Sequence, residues 1–261
     1  MDMKIKHSLF KPGWMIILAG LFLASCVPMK RIHYMQDVDK PKTEKSDFIN
    51  PRTYDYTIHP GDNLYIKINS LDQTANYFDE ISNYSNYYTE SGIYLNSYTV
   101  TDSGYVEFPL IGKVMVINLT LDEIRQKLQE EVNEYLKNTV VIVKLANFRV
   151  SMLGEFKNPG KYIVYQDKIT IFEAIAMAGD LSDFARKNRS LLIRQTEDGT
   201  KTYRLNLNDR NILESDLYYL MPNDIVYVQQ VKGKQFAFKE FPYVLIFSTI
   251  TTTLLLIEYF K

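Results

Sequence analysis

The sequence predicts an α+β fold: two small β-rich units in tandem, followed by an apolar helix at the C-terminal end. Short β-branched and aromatic runs alternate with turns rich in Gly, Pro and Asn between residues 54 and 232. In each half of that region a Thr-x-x-Glu capping box opens a helix. Residues 241–257 then form a run without a charged side chain. We therefore expect segments 1–25, 26–53, 54–146, 147–232 and 233–261.

The composition argues against several classes of function. A net charge of −1 lacks the basic excess that a nucleic-acid-binding domain needs. One Cys and three His are too few for a disulfide, a multi-Cys or multi-His metal site, or a common nucleophilic triad. No phosphate-binding glycine loop occurs, and we expect neither metal nor cofactor. Carboxylate pairs stay open as acid–base candidates, because 31 acidic residues always offer pairs.

The N-terminal segment predicts a lipoprotein signal peptide. Lysines precede a short apolar run at 15–24, which is the order of a secretory signal. The next residues, Leu23-Ala24-Ser25-Cys26, resemble a bacterial lipobox, with cleavage between Ser25 and Cys26 and a lipid on the Cys26 thiol. Val27 is not acidic, which favours the outer membrane over the inner one. The polar, unpatterned residues 26–53 are interpreted as a tether.

In the first unit, 54–146, strands at 56–58 and 64–68 flank a turn in which His59 is a turn residue rather than a ligand. Residues 102–114 indicate a turn, a strand, a second turn and a second strand. Thr120 and Glu123 open a helix, and a strand follows at 139–145. The helical spacing is kept by Leu121, Ile124, Leu128, Val132 and Tyr135.

A Tyr-dense segment at 75–98 stands apart from these strands. It is either an exposed loop or hairpin packed by its own aromatic rings, or a patch that stacks on sugar rings. Its tyrosines are Tyr77, Tyr84, Tyr87, Tyr88, Tyr94 and Tyr98.

The second unit, 147–232, predicts two strands, a helix and further strands, the order of a small β-grasp domain. The strands are expected at 148–154, 161–165, 191–194, 201–205 and 225–229. A capping box at Thr170 and Glu173 opens the helix, and Gly179 ends it. Its inward residues are Ile171, Ala174, Ile175 and Ala178.

The C-terminal segment 233–261 predicts an amphipathic membrane-spanning helix. A lipid-facing stripe is predicted at Tyr243, Ile246, Phe247, Ile250, Leu254 and Ile257. An opposite hydroxyl face, at Ser248, Thr249 and Thr252, would meet pore water or neighbouring helices. The alternative is a single-span anchor whose hydroxyl groups bond to their own helix backbone.

The order of these motifs resembles the outer-membrane polysaccharide export family. YTIHPGDNLYI at 56–66 and GYVEFPLIGKV at 104–114 resemble its export domain. The export-domain motif residues are Tyr56, Pro60, Gly61, Asp62, Gly104, Pro109 and Gly112. LGEFKNPGKY at 153–162, TIFEAIAMAGD at 170–180 and PNDIVYV at 222–228 resemble its soluble-ligand-binding β-grasp domain. The β-grasp motif residues are Gly154, Pro159, Gly160, Glu173, Ala174, Gly179, Pro222 and Asp224.

The resemblance implies a homo-oligomeric ring, octameric in the best-known members, whose C-terminal helices line a pore through the outer membrane. Capsular polysaccharide or exopolysaccharide would pass from the periplasm to the cell surface, handed over by an inner-membrane copolymerase that is often a tyrosine kinase. No catalytic residue is expected. Two departures from the family pattern are the single β-grasp unit and Asn223, where the last turn would carry Gly.

Two other functions remain open at this point. The first is a lipid-anchored glycan-binding or scaffold protein without a pore. The second is a lipoprotein glycosidase that uses two carboxylates.

Overall fold

The computed structural model describes residues 33–36, 56–70, 90–109, 111–196, 198–231 and 243–259. The predicted signal peptide, Ser25, Cys26 and most of the tether lie outside the described residues. Among the tyrosines of the Tyr-dense segment, only Tyr94 and Tyr98 are described.

The first unit is built on a three-stranded antiparallel sheet of order β2-β1-β5, beside a separate β3-β4 hairpin. Its elements are β1 (Asn63–Ser70), α1 (Glu90–Leu95), β2 (Tyr98–Thr99), β3 (Tyr105–Phe108), β4 (Gly112–Met115), α2 (Leu121–Tyr135) and β5 (Thr139–Leu145). Strand β5 alternates buried and more exposed residues, the period that packs one sheet face against a core.

Helix α2 covers that face because its sequence places apolar side chains on one side. Its predicted capping box is confirmed: the Thr120 hydroxyl accepts from the Glu123 N–H, and the Glu123 carboxylate accepts from the Thr120 N–H. Ile124 is fully buried, as are the two residues at its helical spacing, Leu128 and Val132. Tyr135, at the end of the same spacing, is exposed.

The second unit is built on a five-stranded mixed sheet of order β10-β9-β12-β6-β7. Strand β12 runs parallel to β6, and every other pair in this sheet is antiparallel. Strands β8 and β11 form a separate two-stranded pair. Its elements are β6 (Arg149–Gly154), β7 (Gly160–Ile163), β8 (Ile169–Thr170), α3 (Ile171–Met177), β9 (Ala185–Thr196), β10 (Gly199–Leu205), a 3-10 helix (Arg210–Glu214), β11 (Tyr219–Leu220) and β12 (Ile225–Gln230).

Helix α3 packs on this sheet as its sequence predicts. The capping box at Thr170 and Glu173 is present. The predicted inward residues Ile171, Ala174, Ile175 and Ala178 are all buried. After the helix the chain turns through Gly179 at φ +74° and Asp180 at φ +79°. Glycine adopts this left-handed region without strain, so the predicted helix stop at Gly179 is confirmed.

The two units have separate hydrophobic cores, and Leu145 at the end of β5 packs against both. The α+β class is therefore confirmed. Among the described residues, five short elements were not predicted: α1, β2, β8, the 3-10 helix and β11. Strand β9 is also longer than the segment 191–194 that we predict, because it begins at Ala185. The domain boundaries and the β-grasp assignment stay predictions.

A C-terminal helix is present, as α4 (Tyr243–Tyr259). Among the described residues, no helix is both long enough and apolar enough to cross a membrane. The predicted membrane span is thus not confirmed. The amphipathic division is also less strict than predicted. At 100° per residue, four aliphatic residues lie on the hydroxyl side of the helix. They are Val244, Leu245, Leu255 and Leu256.

Candidate functional site

The first motif turn is organised around the buried carboxylate of Asp62, which is 4% exposed. Its Oδ2 accepts a hydrogen bond from the Tyr56 hydroxyl at 2.8 Å and another from the His59 backbone N–H at 2.9 Å. Gly61 turns the chain at φ +85°, directly after Pro60. Burial raises the pKa of Asp62, and the hydrogen bonds from His59 and Tyr56 oppose that rise. The motif thus fixes the chain at the entry to β1.

This turn also contacts the segment that joins the two units. The Asn63 N–H donates to the Asn147 side-chain oxygen at 3.1 Å, and the Ala146 N–H donates to the Asn63 carbonyl at 2.7 Å. The Asn147 amide nitrogen in turn donates to the Gly61 carbonyl at 3.4 Å. A shallow cleft lies here between the units. Its lining includes Tyr94, which is 62% exposed.

The remaining tyrosine of the Tyr-dense segment is used for packing. The Tyr98 ring lies 5.0 Å from the Phe108 ring, centroid to centroid, and packs against the first core. A sugar-stacking role for Tyr98 therefore has no support, whereas Tyr94 stays available for one.

The second motif closes the β3-β4 hairpin. Gly104 has φ +81°, and its carbonyl accepts from the N–H groups of Val116 and Ile117. A side chain at position 104 would place its Cβ 2.6 Å from the Ile117 side chain. Gly112 has a similar φ of +87° but open space around it. Pro109 is exposed in the turn between the strands.

In the second unit Gly154 lies where β6 meets β12. A Cβ at this position would lie 2.1 Å from the Val228 carbonyl oxygen, and φ is +89°. Only glycine allows this approach of the two backbones. The next N–H, from Glu155, donates to that same carbonyl at 3.0 Å.

The 158–160 turn packs against the end of α3. The Asn158 N–H donates to the Ala178 carbonyl at 3.0 Å. A Cβ on Gly179 would lie 2.6 Å from the Asn158 amide nitrogen. Pro159 is exposed, and Gly160 begins β7. These motif residues therefore join a hairpin to a helix end.

Asp224 is fully buried in the turn before β12. It accepts from Arg194 and from the Met221 N–H, the latter at 2.8 Å. Pro222 is half-buried in the same turn, and Asn223 adopts φ +65° there. Asparagine tolerates this left-handed conformation, which explains why it can replace the expected glycine.

The described motif residues therefore form two separate groups, one in each unit, and do not converge on one pocket. Each holds a turn, a helix cap or a buried ion pair. No group of three potential metal ligands occurs among the residues that the structure describes. Their hydrogen bonds and close backbone contacts stabilise the two units.

Sequence reasoning missed a contact between the predicted tether and the second unit. Residues 33–36 lie against that unit, and the Tyr34 hydroxyl donates to the Asp180 carboxylate at 2.6 Å. Lys187 lies above the Tyr34 ring, its Nζ 3.8 Å from the ring centroid. Nothing in the polar pattern around Tyr34 indicates this docking.

The Ser and Thr hydroxyl groups of α4 all find acceptors within the helix. Ser248 donates to the Leu245 carbonyl at 3.0 Å, and Thr249 donates to the Ile246 carbonyl at 2.8 Å. Thr252 donates to the Ser248 carbonyl at 2.7 Å. The predicted pore-facing residues are thus the same side chains that the single-span alternative uses for backbone bonding. The hydroxyl groups alone do not distinguish the two interpretations.

The first unit is similar to known proteins. Residues 50–146 match the family model of the polysaccharide biosynthesis/export proteins. The chain is also 28% identical over 103 residues to the EPS I polysaccharide export outer membrane protein EpsA of Ralstonia nicotianae. That alignment covers 38% of this chain and 26% of the relative, so the chain spans about a quarter of the relative's length.

Proposed function

We propose that this protein is an outer-membrane lipoprotein that oligomerises into a channel for capsular polysaccharide or exopolysaccharide, because residues 50–146 match the model of the polysaccharide biosynthesis/export proteins. The family match is the observation that carries the proposal. The relative named as an outer membrane export protein supports the location. The channel, its lipid anchor at Cys26 and the direction of export are parts of the proposal.

Helix α4 supports a membrane role because it is apolar on most sides and the described part of the protein buries none of its residues. None of its described side chains is buried. Ile250, Leu254 and Leu255 are each more than half exposed. A helix that is apolar all round is stable in a protein core or in a membrane. We propose that lipid of the membrane surrounds these apolar side chains.

The length of α4 suits a thin bilayer. Its 17 residues extend about 25 Å at 1.5 Å per residue. A typical hydrocarbon core is about 30 Å thick, and the bacterial outer membrane is thinner than average. We propose that α4 enters this membrane as one member of a helix barrel, in which neighbouring copies adjust the fit.

A single helix encloses no path, so the channel proposal requires several copies. In a ring, the side of α4 with Ser248, Thr249 and Thr252 would face water or the next helix. The hydroxyl oxygens can still accept hydrogen bonds from water or sugar while their protons stay on the helix backbone. The proposed partners are an inner-membrane copolymerase and the polysaccharide cargo. No reaction is needed, since the motif residues are structural and the family is one of transport.

The mass and the end-on image of the detergent-extracted full-length protein test this function. A closed ring of several subunits with a central hole is the expected result. Monomers or dimers with α4 intact would overturn the channel.

The exposed Tyr94 in the cleft between the units, whose ring can stack on a sugar, supports one second candidate, a lipid-anchored glycan-binding or scaffold protein without a pore. Deleting residues 236–261 separates the two functions. The scaffold would keep its glycan binding after the deletion, whereas the channel would lose export.

A further inference from the structure

We propose that residues 33–36, here called the clasp, fasten the lipid tether to the second unit, with Tyr34 as the anchoring side chain. The clasp would set the distance between that unit and the membrane. The distance role rests on the proposed lipidation of Cys26. The docking itself rests only on contacts of described residues.

The backbone of the clasp joins the segment after β10. The Gln36 N–H donates to the Asn208 carbonyl at 2.5 Å, and the Arg210 N–H donates to the Gln36 carbonyl at 3.2 Å. The Met35 N–H donates to the Leu207 carbonyl at 3.4 Å. Gln36 and Asp209 thereby form a parallel bridge. A segment held by both its donors and its acceptors is docked in one register.

The Tyr34 side chain adds a second attachment, to α3 and β9. Its ring meets Phe172 edge-on with centroids 6.0 Å apart and packs against the second core. The Lys187 Nζ lies over the face of the Tyr34 ring in cation–π geometry. The hydroxyl donates to Asp180, and burial together with that carboxylate raises the pKa of Tyr34. Tyr34 therefore docks as a neutral donor.

Asp180, which accepts this hydrogen bond, has an uncommon backbone conformation. Asp180 is a non-glycine residue with φ +79°, and its Oδ1 also accepts from the Leu181 N–H at 2.7 Å. Partial burial works against ionisation of Asp180. The bonds from Tyr34 and Leu181 and the charges of Lys187 and Lys157 nevertheless lower its pKa. An ionised acceptor thus faces the phenol.

Chain length turns the docking into a distance constraint. Tyr34 follows Cys26 by eight residues, which reach at most about 28 Å when fully extended. A lipid on Cys26 would hold the second unit within that distance of the bilayer. Residues 37–55 lie between the clasp and Tyr56, so chain length allows the first unit a greater distance from the bilayer. The chain into α4 also leaves from the second unit, after Val231.

Hydrogen exchange on the full-length protein tests the docking. We expect the amides of Met35 and Gln36 to be protected in the wild type and to lose at least tenfold of that protection in Tyr34→Ala. Tyr34→Phe keeps the ring contacts, so its clasp amides should lose less protection than those of Tyr34→Ala. Unchanged protection in β12 shows that each variant is folded. Clasp amides that exchange at free-chain rates in the wild type, or protection unaffected by Tyr34→Ala, would overturn the docking.

Two matched insertions test the distance role. Six Gly/Ser residues inserted within segment 28–31, with no residue removed, lengthen the chain between Cys26 and the clasp. The same insertion within segment 40–45 lengthens the chain after the clasp. We expect polysaccharide export to fall several-fold with the first insertion and to stay near wild type with the second. Equal export by both would contradict the distance role.

Mass spectrometry of the mature N-terminus keeps this result separate from the proposed function. A diacylglycerol on Cys26 with unequal export supports the clasp as a spacer. An unmodified Cys26 overturns both the lipid anchor and the distance role, while the exchange measurement still decides whether the clasp is docked.

Discussion

Arg194 on β9 and Asp224 before β12 form a buried, bidentate ion pair. The Arg194 Nε donates to Asp224 Oδ1 at 2.9 Å and its Nη2 donates to Oδ2 at 2.6 Å. The two side chains are 7% and 0% exposed. A further bond runs from Nη2 to the Tyr219 carbonyl at 3.2 Å. This pair ties β9 to the turn between β11 and β12, and it gives the motif residue Asp224 a structural role.

Removing one member of this pair should be costly. Burial raises the pKa of Asp224, and the bonds and charge of Arg194 oppose that rise. In Asp224→Ala the Arg194 charge would stay buried without its partner, at a cost of about 3–5 kcal/mol in the free energy of unfolding. Urea unfolding of the full-length protein in detergent measures it. The double variant Arg194→Met/Asp224→Leu should lose less stability than Asp224→Ala alone, because it leaves no buried charge without a partner. A larger loss of stability in the double variant than in Asp224→Ala would contradict the role of the unpaired Arg194 charge.

The backbone contact at Gly154 predicts a second large effect. Gly154→Ala would force β6 away from the Val228 carbonyl in addition to the strain of positive φ. Gly112 has nearly the same φ but no atom near its missing Cβ, so Gly112→Ala reports the φ strain alone. We expect about 1–2 kcal/mol of destabilisation for Gly112→Ala and clearly more for Gly154→Ala. Equal losses in thermal unfolding would argue that the close approach does not matter.

The carboxylate of Asp62 should give a pH-dependent stability. Because burial raises its pKa, the folded state holds this proton more tightly than the unfolded chain does. The stabilisation from that proton is complete below the unfolded pKa and is lost as pH rises through the folded pKa. Asp62→Asn has no such loss, so its stability relative to wild type should improve as pH rises from about 3.8, the ordinary value.

Two controls accompany this measurement. Asp62→Ala removes the acceptor of both bonds and should cost about 1–3 kcal/mol below pH 3.8, because the Tyr56 hydroxyl and the His59 N–H lose their partner. That cost should shrink as pH rises, because the variant lacks the titrating group. Tyr56→Phe removes one of these bonds and should cost less. A stability difference between Asp62→Asn and wild type that is flat with pH would refute the titration of Asp62.

Helix α4 supplies a prediction for the channel. A charge at Ile250, near the middle of the helix, would cost a few kcal/mol on insertion into hydrocarbon. Ile250→Asp should therefore abolish export and ring formation, and Ile250→Val should leave both intact. Polysaccharide at the cell surface and the mass of the extracted protein are the two readouts. Normal export by Ile250→Asp would show that α4 does not lie in the membrane.

Several elements could be predicted from the sequence because their causes are local. The capping boxes at Thr120 and Thr170 join residues three positions apart. The turn at Gly61 depends on the conformational freedom of one residue. The burial of Ile124 follows from helical spacing within α2. The motifs at 56–66 and 104–114 also predicted the resemblance to the export family, and residues 50–146 match that family's model.

Other features needed the tertiary structure because they join distant parts of the chain. The docking of Tyr34 on Asp180 spans 146 positions, and neither neighbourhood carries a pattern that indicates the other. The parallel pairing of β12 with β6, and the lack of room at Gly154, likewise depend on which strands meet. The sequence by itself thus determined the two capped helices and the motif turns, because short-range geometry encodes them. Only the tertiary structure decided the clasp, the sheet order and the buried ion pair, because packing chooses among partners that local propensity leaves equivalent.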